Sequence, residues 1–381
     1  MSQFNNQMKK DSMLLIMTPN MSLEIWNRNG QLSRELSFYN KLCASSYLKL
    51  IIYSYGRNDK IYVIGNDLIT VLQMPRWIPE NIPFRVQNLL YNITSLISFR
   101  KYFKQVRFAK TNQYRSSQFG VMLKIFFGIP LVIRMGFYYS HKPQSFINRV
   151  TERFRFRFCD DIIVTSADAA SFIANTYKVN TNKILYMCNS INLDVFQPRE
   201  LEKKYDLIYV GRLEERKNIK LLVESIEGLD INVLIVGDGS LKDWIVEVMK
   251  HHPKWCWLSN VDNFKLADYY NQARMFIIQS DYEGNPKSLL EAMACGLPCI
   301  GTNVPGIKNC IKNNHNGILV NKDEVEIRRA IIGLLSNKSK AEKLGLNAVK
   351  WVRANCSMEA NVEREASIYK RFNNVHELVK I

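Results

Sequence analysis

The sequence lacks the features of several protein classes. It has 8 cysteines in 381 residues, and none forms a C-x-x-C pair; the closest spacing is Cys295-x3-Cys299. That excludes a disulfide framework, offers no zinc-type spacing, and suits a reducing compartment. No segment reaches the ~18 consecutive apolar residues of a membrane span. The best stretch, residues 119–139, is broken by Lys124, Pro130 and Arg134. Residues 13–17, behind Lys9 and Lys10, fall short of the ~7–15-residue core of a signal peptide and run at once into Thr18, Pro19 and Asn20. They read as a first strand at a mature cytoplasmic N-terminus. Acidic residues are missing altogether between Arg85 and Thr151.

The hydrophobic fraction of 47% and charged fraction of 23% are those of a globular protein, which excludes a disordered chain, a collagen or a simple coiled coil. The length fits two domains. The net charge of +17 is uneven: residues 1–198 hold 25 Lys and Arg against 11 Asp and Glu, and the remainder holds 27 against 24. A positive field in the first half suits an anionic partner, whether nucleic acid, an anionic leaflet or a phosphate-bearing substrate. Plain solubility charge is the competing explanation.

Short apolar runs bounded by turn residues predict strands at 14–18, 48–53, 131–134, 161–166, 184–187, 207–210, 232–236, 275–279 and 298–301. Helical periods lie between them at 31–42, 219–226, 241–249, 266–273 and 287–294. Such alternation implies parallel sheets covered by helices on both faces. A polar, Pro-containing stretch at 196–204 divides the chain into domains 1–198 and 199–365, with 366–381 as a C-terminal helix packing back on the first domain. Ligands of such sheets bind beyond the carboxyl ends of the strands.

Three motifs carry chemistry. In Tyr209-Val210-Gly211-Arg212-Leu213-Glu214-Glu215-Arg216-Lys217-Asn218 a strand exits through glycine and a helix begins near Asn218. Arg212 and Lys217 would stand at the sheet mouth beside a helix N-terminus, where a diphosphate finds fixed positive charge and N–H donors. A charged surface loop accounts for these ten residues equally well. Val236-Gly237-Asp238-Gly239-Ser240 is a strand–turn–helix start without the full G-x-G-x-x-G, and a simple tight turn explains it. The third motif runs from Asp281 to Pro298, with Glu283 in a loop, Pro286 at a helix start and Gly296 as its C-terminal cap. Glu291 lies about one turn into that helix. Its carboxylate could accept a ribose diol, Glu283 could hold sugar hydroxyls, and the helix N-terminal amides could hold phosphate.

Here a family resemblance becomes plain. Glu283-x7-Glu291 within EGNPKSLLEAMACGLP resembles the E-x7-E signature of the retaining glycosyltransferases of family 4, glycosyltransferase group 1, of bacterial surface-polysaccharide type. GRLEERKN resembles that family's GRL-x-x-x-K-G element, and residues 301–320 resemble its GT-x-x-GG segment. Asn189-Ser190-Ile191-Asn192 is similar to its N-G-V-D linker entry. The resemblance implies the α/β GT-B fold, two Rossmann-like domains whose parallel sheets face a central cleft. The first domain would bind acceptor and the second the nucleotide-sugar donor.

The resemblance also implies roles. Arg212 and Lys217 would bind the donor diphosphate and stabilise it as leaving group. Glu283 would contact the donor sugar, and Glu291 the ribose. Gly284 and Asn285 stand where the family often has GFG, and would line the sugar. Backbone amides around Lys287, Ser288, Leu289 and Leu290 would touch phosphate. Gly30, in the loop after the first strand, would approach the diphosphate from the other domain. Many members place a histidine after a strand of the first domain; the comparable stretch here, residues 132–137, holds none, and Arg134 is a candidate to replace it.

The co-substrate implied is a nucleotide-diphosphate-sugar, with no cofactor and no metal, since no D-x-D pair or His/Cys/carboxylate cluster stands at metal spacing. The acceptor would be a glycan or a polyprenyl-diphosphate-linked glycan in capsule or lipopolysaccharide assembly. Residues 86–106 place Leu89, Leu90, Ile93, Leu96, Ile97 and Phe103 at helical spacing, with Arg100, Lys101, Lys104 and Arg107 at the far end. Such a helix can lie on an anionic leaflet, or it can be a core-packed helix with solvated lysines. The expected location is cytoplasmic, peripheral on the inner face of the cytoplasmic membrane. Arg149, Arg153, Arg155 and Arg157 interleave with Phe154, Phe156 and Phe158. That pattern could stack bases, but no nucleic-acid motif accompanies it and nucleic acid is not expected as a partner. A nucleotide-sugar epimerase of the same fold, or a non-catalytic binder of an anionic membrane or RNA surface, are the alternatives.

Overall fold

The computed structural model describes residues 11–136, 146–259 and 261–372. Of the features above, Lys9 and Lys10, residues 137–139 and residues 373–381 lie outside them. The chain divides into two compact units, one formed by Met1–Val164, Ala169–Tyr186 and Val362–Ile381, the other by Thr165–Asp168 and Met187–Asn361. The division after Tyr186, twelve residues before 198/199, reflects Asn189. Its backbone N–H and side-chain amide bond to Asn285 at 2.7 and 2.6 Å, which fixes this stretch to the second unit.

Among the described residues, the first unit holds seven parallel strands: β1 (Ser12–Ile16), β2 (Lys49–Tyr53), β3 (Ile69–Leu72), β4 (Val106–Thr111), β5 (Leu131–Met135), β6 (Asp161–Val164) and β7 (Ile184–Tyr186). Their order is β3-β2-β1-β4-β5-β6-β7. Met13 to Ile16 are fully buried, as a central parallel strand covered on both faces requires. β4 was not among the strands expected from the sequence. Its charged Lys110 is buried and ion-paired with Glu365, which lies in the C-terminal helix Met358–Lys370. Lys110 Nζ also lies 5.1 and 5.0 Å from the ring centroids of Phe38 and Tyr39. Phe108, also on β4, stacks on Tyr369 at 3.8 Å. Burial lowers the Lys110 pKa, against the opposing pull of Glu365.

The helix expected over 86–106 is three pieces: a helix Phe84–Ser98, a short turn Arg100–Phe103, and then β4. Phe103 is buried, whereas Leu89, Leu90, Ile93 and Ile97 are exposed, so the apolar stripe does not pack into the core. The basic–aromatic stretch is part of a helix, Phe146–Phe158. Phe156 turns inward against Tyr114 and Tyr177, and Phe154 packs on Phe158.

Among the described residues, the second unit holds six parallel strands: β8 (Tyr205–Val210), β9 (Val233–Val236), β10 (Trp255–Leu258), β11 (Ala273–Ile278), β12 (Cys299–Thr302) and β13 (Ile318–Val320). Their order is β10-β9-β8-β11-β12-β13. Alternation divides the side chains between two apolar layers. Ile208, Leu234, Phe276 and Ile278 join Leu290 and Met293 of the helix Lys287–Ala294. Leu207, Tyr209, Ile235 and Ile277 join Leu222 of Ile219–Ile226 and Ile331 of Glu324–Ser336. The strand order reverses direction between β8 and β11. In sheets of this kind the loops leaving the two strands at such a reversal depart to opposite sides, and ligands bind in the crevice between them.

Candidate active site

Both strands flanking this switch point end in the motifs singled out above. β8 runs into Gly211 and Arg212; β11 runs through Gln279 and Ser280 to Glu283. The first loop is held by Tyr209, whose buried hydroxyl donates to the Arg212 carbonyl at 3.0 Å. Two glycines of the next loop let it lie on the first. A Cβ on Gly237 would stand 1.9 Å from the Gly211 carbonyl oxygen, and one on Gly239 would stand 2.4 Å from that of Leu213. Gly237-Asp238-Gly239 is therefore a packing device for the Arg212 loop. Asn218, in the left-handed conformation at φ 50°, closes that loop by donating to the Gln279 carbonyl at 2.9 Å and to Asp281 at 2.8 Å.

These loops bring Lys217 and Glu283 together. Lys217 Nζ donates to Glu283 Oε1, and the Ser280 hydroxyl donates to the same oxygen at 2.6 Å. Arg216 Nη1 stands 4.0 Å away. Burial pulls the Lys217 pKa below its ordinary 10.5, and the Glu283 charge only partly restores it. Arg212 is mostly exposed and pairs with Glu214 at 2.7 Å, while Arg216 Nε takes the other Glu214 oxygen at 3.1 Å. Burial raises the Glu214 pKa, but the two arginines outweigh it and the net direction is down. The cluster thus presents three cations around two carboxylates, with the Arg212 guanidinium toward solvent.

The loop carrying Glu283 rests on residues 301–306. Glu283 N–H donates to the Pro305 carbonyl at 3.2 Å. Gly306 adopts φ +84°, and a Cβ there would lie 2.2 Å from the Glu283 carbonyl oxygen. The helix that follows spans Lys287–Ala294 with Pro286 at its N-cap, a residue that supplies no side-chain cap. Its other end closes through Gly296 at φ +81°. Gly296 N–H reaches Met293 and Leu297 N–H reaches Ala292, both at 3.1 Å.

Several expected site residues take different parts. Leu289 and Leu290 bury their side chains in the core. The Leu290 N–H is given to the Pro286 carbonyl at 3.2 Å, because it is the first amide of the helix able to reach back four residues. That leaves Leu290 outside the expected anion-facing amides. Asn285 is buried, and its side chain serves Asn189 and Cys310 rather than opening to the crevice. Gly284, Lys287 and Ser288 stay half-buried at the helix mouth. Glu291 is buried, with Oε1 accepting from Asn263 at 3.0 Å and Oε2 from Tyr270 at 3.2 Å.

Gly30 belongs to the first unit and does not follow directly on β1. The helix Leu23–Arg28 intervenes, and Gly30 at φ 64° lies in the turn before Leu32–Ser46. That intervening helix forms because Ser22 accepts from Ile25 N–H at 3.0 Å, and because buried Asp59 accepts from the Leu23 and Glu24 amides at 2.9 and 3.2 Å. Arg134, at the end of β5, donates from Nη1 to the Asn112 carbonyl at 3.4 Å. Sequence reasoning missed Ser280, Tyr209, Glu214, Asn263 and Tyr270. Tyr209 and Glu214 lie inside the first motif but were given no role there, Ser280, Asn263 and Tyr270 lie outside the signatures, and the part of each is found only through its contact.

Two parallel α/β units, with a cation–carboxylate cluster at a switch point, define the GT-B class of fold. Over 94% of this chain and 98% of the other, the structure superposes on sucrose-phosphate synthase from Thermosynechococcus elongatus with a TM-score of 0.76 at 18% identity. It superposes on Anabaena HepE in complex with UDP and glucose with a TM-score of 0.74 at 12% identity, covering 94% of this chain and 99% of that one.

Residues 190–351, wholly within the second unit, match the family described as Glycosyl transferases group 1. Among curated proteins, the chain is 24% identical over 61% of its length to an uncharacterized glycosyltransferase of Methanocaldococcus jannaschii, spanning 66% of that protein. It is 24% identical over 84% of its length to the Campylobacter jejuni GalNAc-alpha-(1->4)-GalNAc-alpha-(1->3)-diNAcBac-PP-undecaprenol alpha-1,4-N-acetyl-D-galactosaminyltransferase, spanning 90% of it. It is 27% identical over 56% of its length to a capsular polysaccharide biosynthesis glycosyltransferase of Staphylococcus aureus, spanning 63% of it. The second unit is thus similar to group 1 glycosyltransferases, and the chain to the glycosyltransferases just named.

Proposed function

We propose that the protein is a retaining, metal-independent glycosyltransferase of family 4. It moves a sugar from a nucleotide-diphosphate-sugar to a glycan or polyprenyl-diphosphate-linked glycan in cell-surface polysaccharide assembly, at the inner face of the cytoplasmic membrane. The observation that carries this reading is the meeting of Lys217 and Glu283 at the β8/β11 switch point, with Arg212 paired to Glu214 on the loop that carries Lys217. The acceptor class draws on the undecaprenol-linked glycan in the name of the Campylobacter jejuni relative.

The chemistry follows from charge. Departure of a nucleoside diphosphate places negative charge on the leaving phosphate, and fixed cations in a partly dry crevice offset it. Lys217 is already desolvated, so its attraction to a phosphate oxygen is little weakened by water. A bound diphosphate competes with Glu283 for that ammonium. The carboxylate so released, still oriented by Ser280, is free to accept a donor-sugar hydroxyl. Arg212 supplies the second cation from solvent. The amides of Lys287, Ser288 and Leu289 add donors at the helix N-terminus, and Glu291 holds the ribose from its place beside Asn263 and Tyr270.

The test is thermal stability against millimolar UDP, GDP, ADP and CMP, with and without EDTA. One nucleotide at a hundredfold its Kd adds about 2.7 kcal/mol, a shift of several degrees. Stabilisation that persists in EDTA and disappears in Arg212→Ala supports the diphosphate site. Stabilisation abolished by EDTA overturns metal independence. Absence of any shift, together with no release of nucleoside diphosphate when acceptor is added, favours a non-catalytic binder.

A further inference from the structure

The helix Phe84–Ser98 is built inside out. Its inward face is polar and hydrogen-bonded. Gln87 donates to the Glu80 and Ile82 carbonyls at 3.2 and 2.7 Å, Tyr91 donates to the Leu72 carbonyl at 2.9 Å, and Ser95 shares a hydrogen bond with the Tyr53 hydroxyl at 3.0 Å. The opposite face is apolar and open: Val86 is 43% exposed, Leu89 56%, Leu90 36%, Ile93 48% and Ile97 81%. At 100° per residue these five fall within one sector of about 100°, with Tyr91 and Ser95 on the opposite side and Gln87 between. A helix at a water-facing surface carries the reverse pattern, and a contiguous exposed apolar stripe marks an interaction site.

Charge identifies the partner. Arg85 stands exposed at one end of the stripe, and Arg100, Lys101 and Lys104 stand exposed at the other. No acidic residue occurs between Arg85 and Thr151. A second copy of this chain is a poor occupant. Antiparallel pairing of two such helices would set Arg85 of each against the basic end of the other, with no carboxylate on either helix to offset it. An anionic bilayer offers an apolar interior for the stripe and phosphates for both ends.

We propose that the outward face of Phe84–Ser98 inserts flat into the headgroup boundary of an anionic leaflet, with Arg85, Arg100, Lys101 and Lys104 on lipid phosphates. The inference deepens the peripheral-membrane part of the proposed function and rests on it. It goes further in naming the inserted residues, and in assigning attraction to the cations and depth to the stripe.

The test is sedimentation of the full chain with phosphatidylcholine vesicles with and without phosphatidylglycerol. Wild type is expected to bind the anionic vesicles. Leu89→Glu with Ile93→Glu is expected to lower partitioning more than about tenfold at any salt concentration, because the apolar face no longer enters the boundary. Arg100→Gln, Lys101→Gln and Lys104→Gln together are expected to cost about fivefold per cation at low salt and little at high salt. Since the substituted side chains are exposed, nucleotide stabilisation and melting temperature stay at wild-type values and report separately on fold and donor site. Unchanged vesicle binding in Leu89→Glu/Ile93→Glu, or no binding by wild type, overturns the insertion face whatever the transferase assay shows. A concentration-dependent dimer that Ile93→Glu dissociates, seen without lipid, overturns it in favour of self-association.

Discussion

At Glu283 one carboxylate oxygen meets both the Lys217 ammonium and the Ser280 hydroxyl. Removing the carboxylate leaves Lys217 charged in a desolvated place, while neutralising it keeps the hydrogen-bonding shape. Glu283→Ala is therefore expected to destabilise by about 2–4 kcal/mol and Glu283→Gln by less. If the proposed function holds, both should lower kcat about 100-fold or more, since Glu283 would then lose a preorganised polar contact to the donor sugar. Denaturant unfolding beside steady-state kinetics separates the two effects; equal loss of stability in both variants would assign the whole cost to the lost charge and none to the hydrogen-bonding shape. Lys217 also sets a pH dependence. Its pKa is held below the ordinary 10.5 by burial, so the cation is lost on the alkaline side earlier than for a solvated lysine. kcat/KM, which reports the free enzyme, should fall as pH rises through that lowered pKa. Lys217→Arg, whose guanidinium stays charged, should flatten this alkaline limb. Stability moves the other way: between the lowered folded pKa and 10.5 the unfolded chain binds more protons, so the burial penalty, fully present below that window, is relieved as pH rises through it.

Among the elements, the loop of Gly237 shows how backbone contact builds the site without touching a substrate. Gly237→Ala must part the Gly211 and Gly237 loops, since the added carbon would stand 1.9 Å from a backbone oxygen. A loss of about 2 kcal/mol or more is expected, together with weaker nucleotide stabilisation because Arg212 moves with its loop. Wild-type nucleotide response in this variant would deny the loop that role. The same motif marks what the sequence makes legible. Strand–glycine–helix turns and the E-x7-E spacing are local, so the ends of β8 and β11 and the helix Lys287–Ala294 could be read directly. β4 could not. Arg107 and Lys110 interrupt its apolar run, and the carboxylate that makes a buried lysine tolerable lies at Glu365, 255 residues away. The partners of Glu291 are hidden for the same reason: Asn263 and Tyr270 come from the helix Asn263–Asn271, outside the signature. The apolar stripe at residues 86–97 was legible as a pattern. Its outward direction was not, because the polar hydrogen bonds that turn Gln87 and Tyr91 inward are made to other segments.

For the whole molecule, the decisive fact is that the first unit is finished by the last described residues of the chain. Val362–Ile381 belongs to it although the entire second unit intervenes. Lys110 and Glu365 are the charged centre of this closure, both buried, with the Tyr369 hydroxyl donating to Glu365 as well. Arg371 adds a contact to Asp161 at 2.6 Å on β6. A buried pair of this kind contributes little net stability compared with an apolar pair of the same size, yet breaking one half is costly. Lys110→Met is thus expected to destabilise by about 3–5 kcal/mol, lowering the melting temperature at about 2–4 °C per kcal/mol for a chain of this size. Lys110→Met with Glu365→Met removes the stranded carboxylate and should recover most of that loss. A chain ended at residue 361 cannot be rescued in this way, because it also loses Tyr369 from Phe108 and Arg371 from Asp161, and it should fail to give a cooperative melt at all. Circular-dichroism melts of the three variants check the order. If the double substitution were as unstable as the single one, the coupling between the C-terminal helix and β4 would lie in the Phe108–Tyr369 stack rather than in the ion pair.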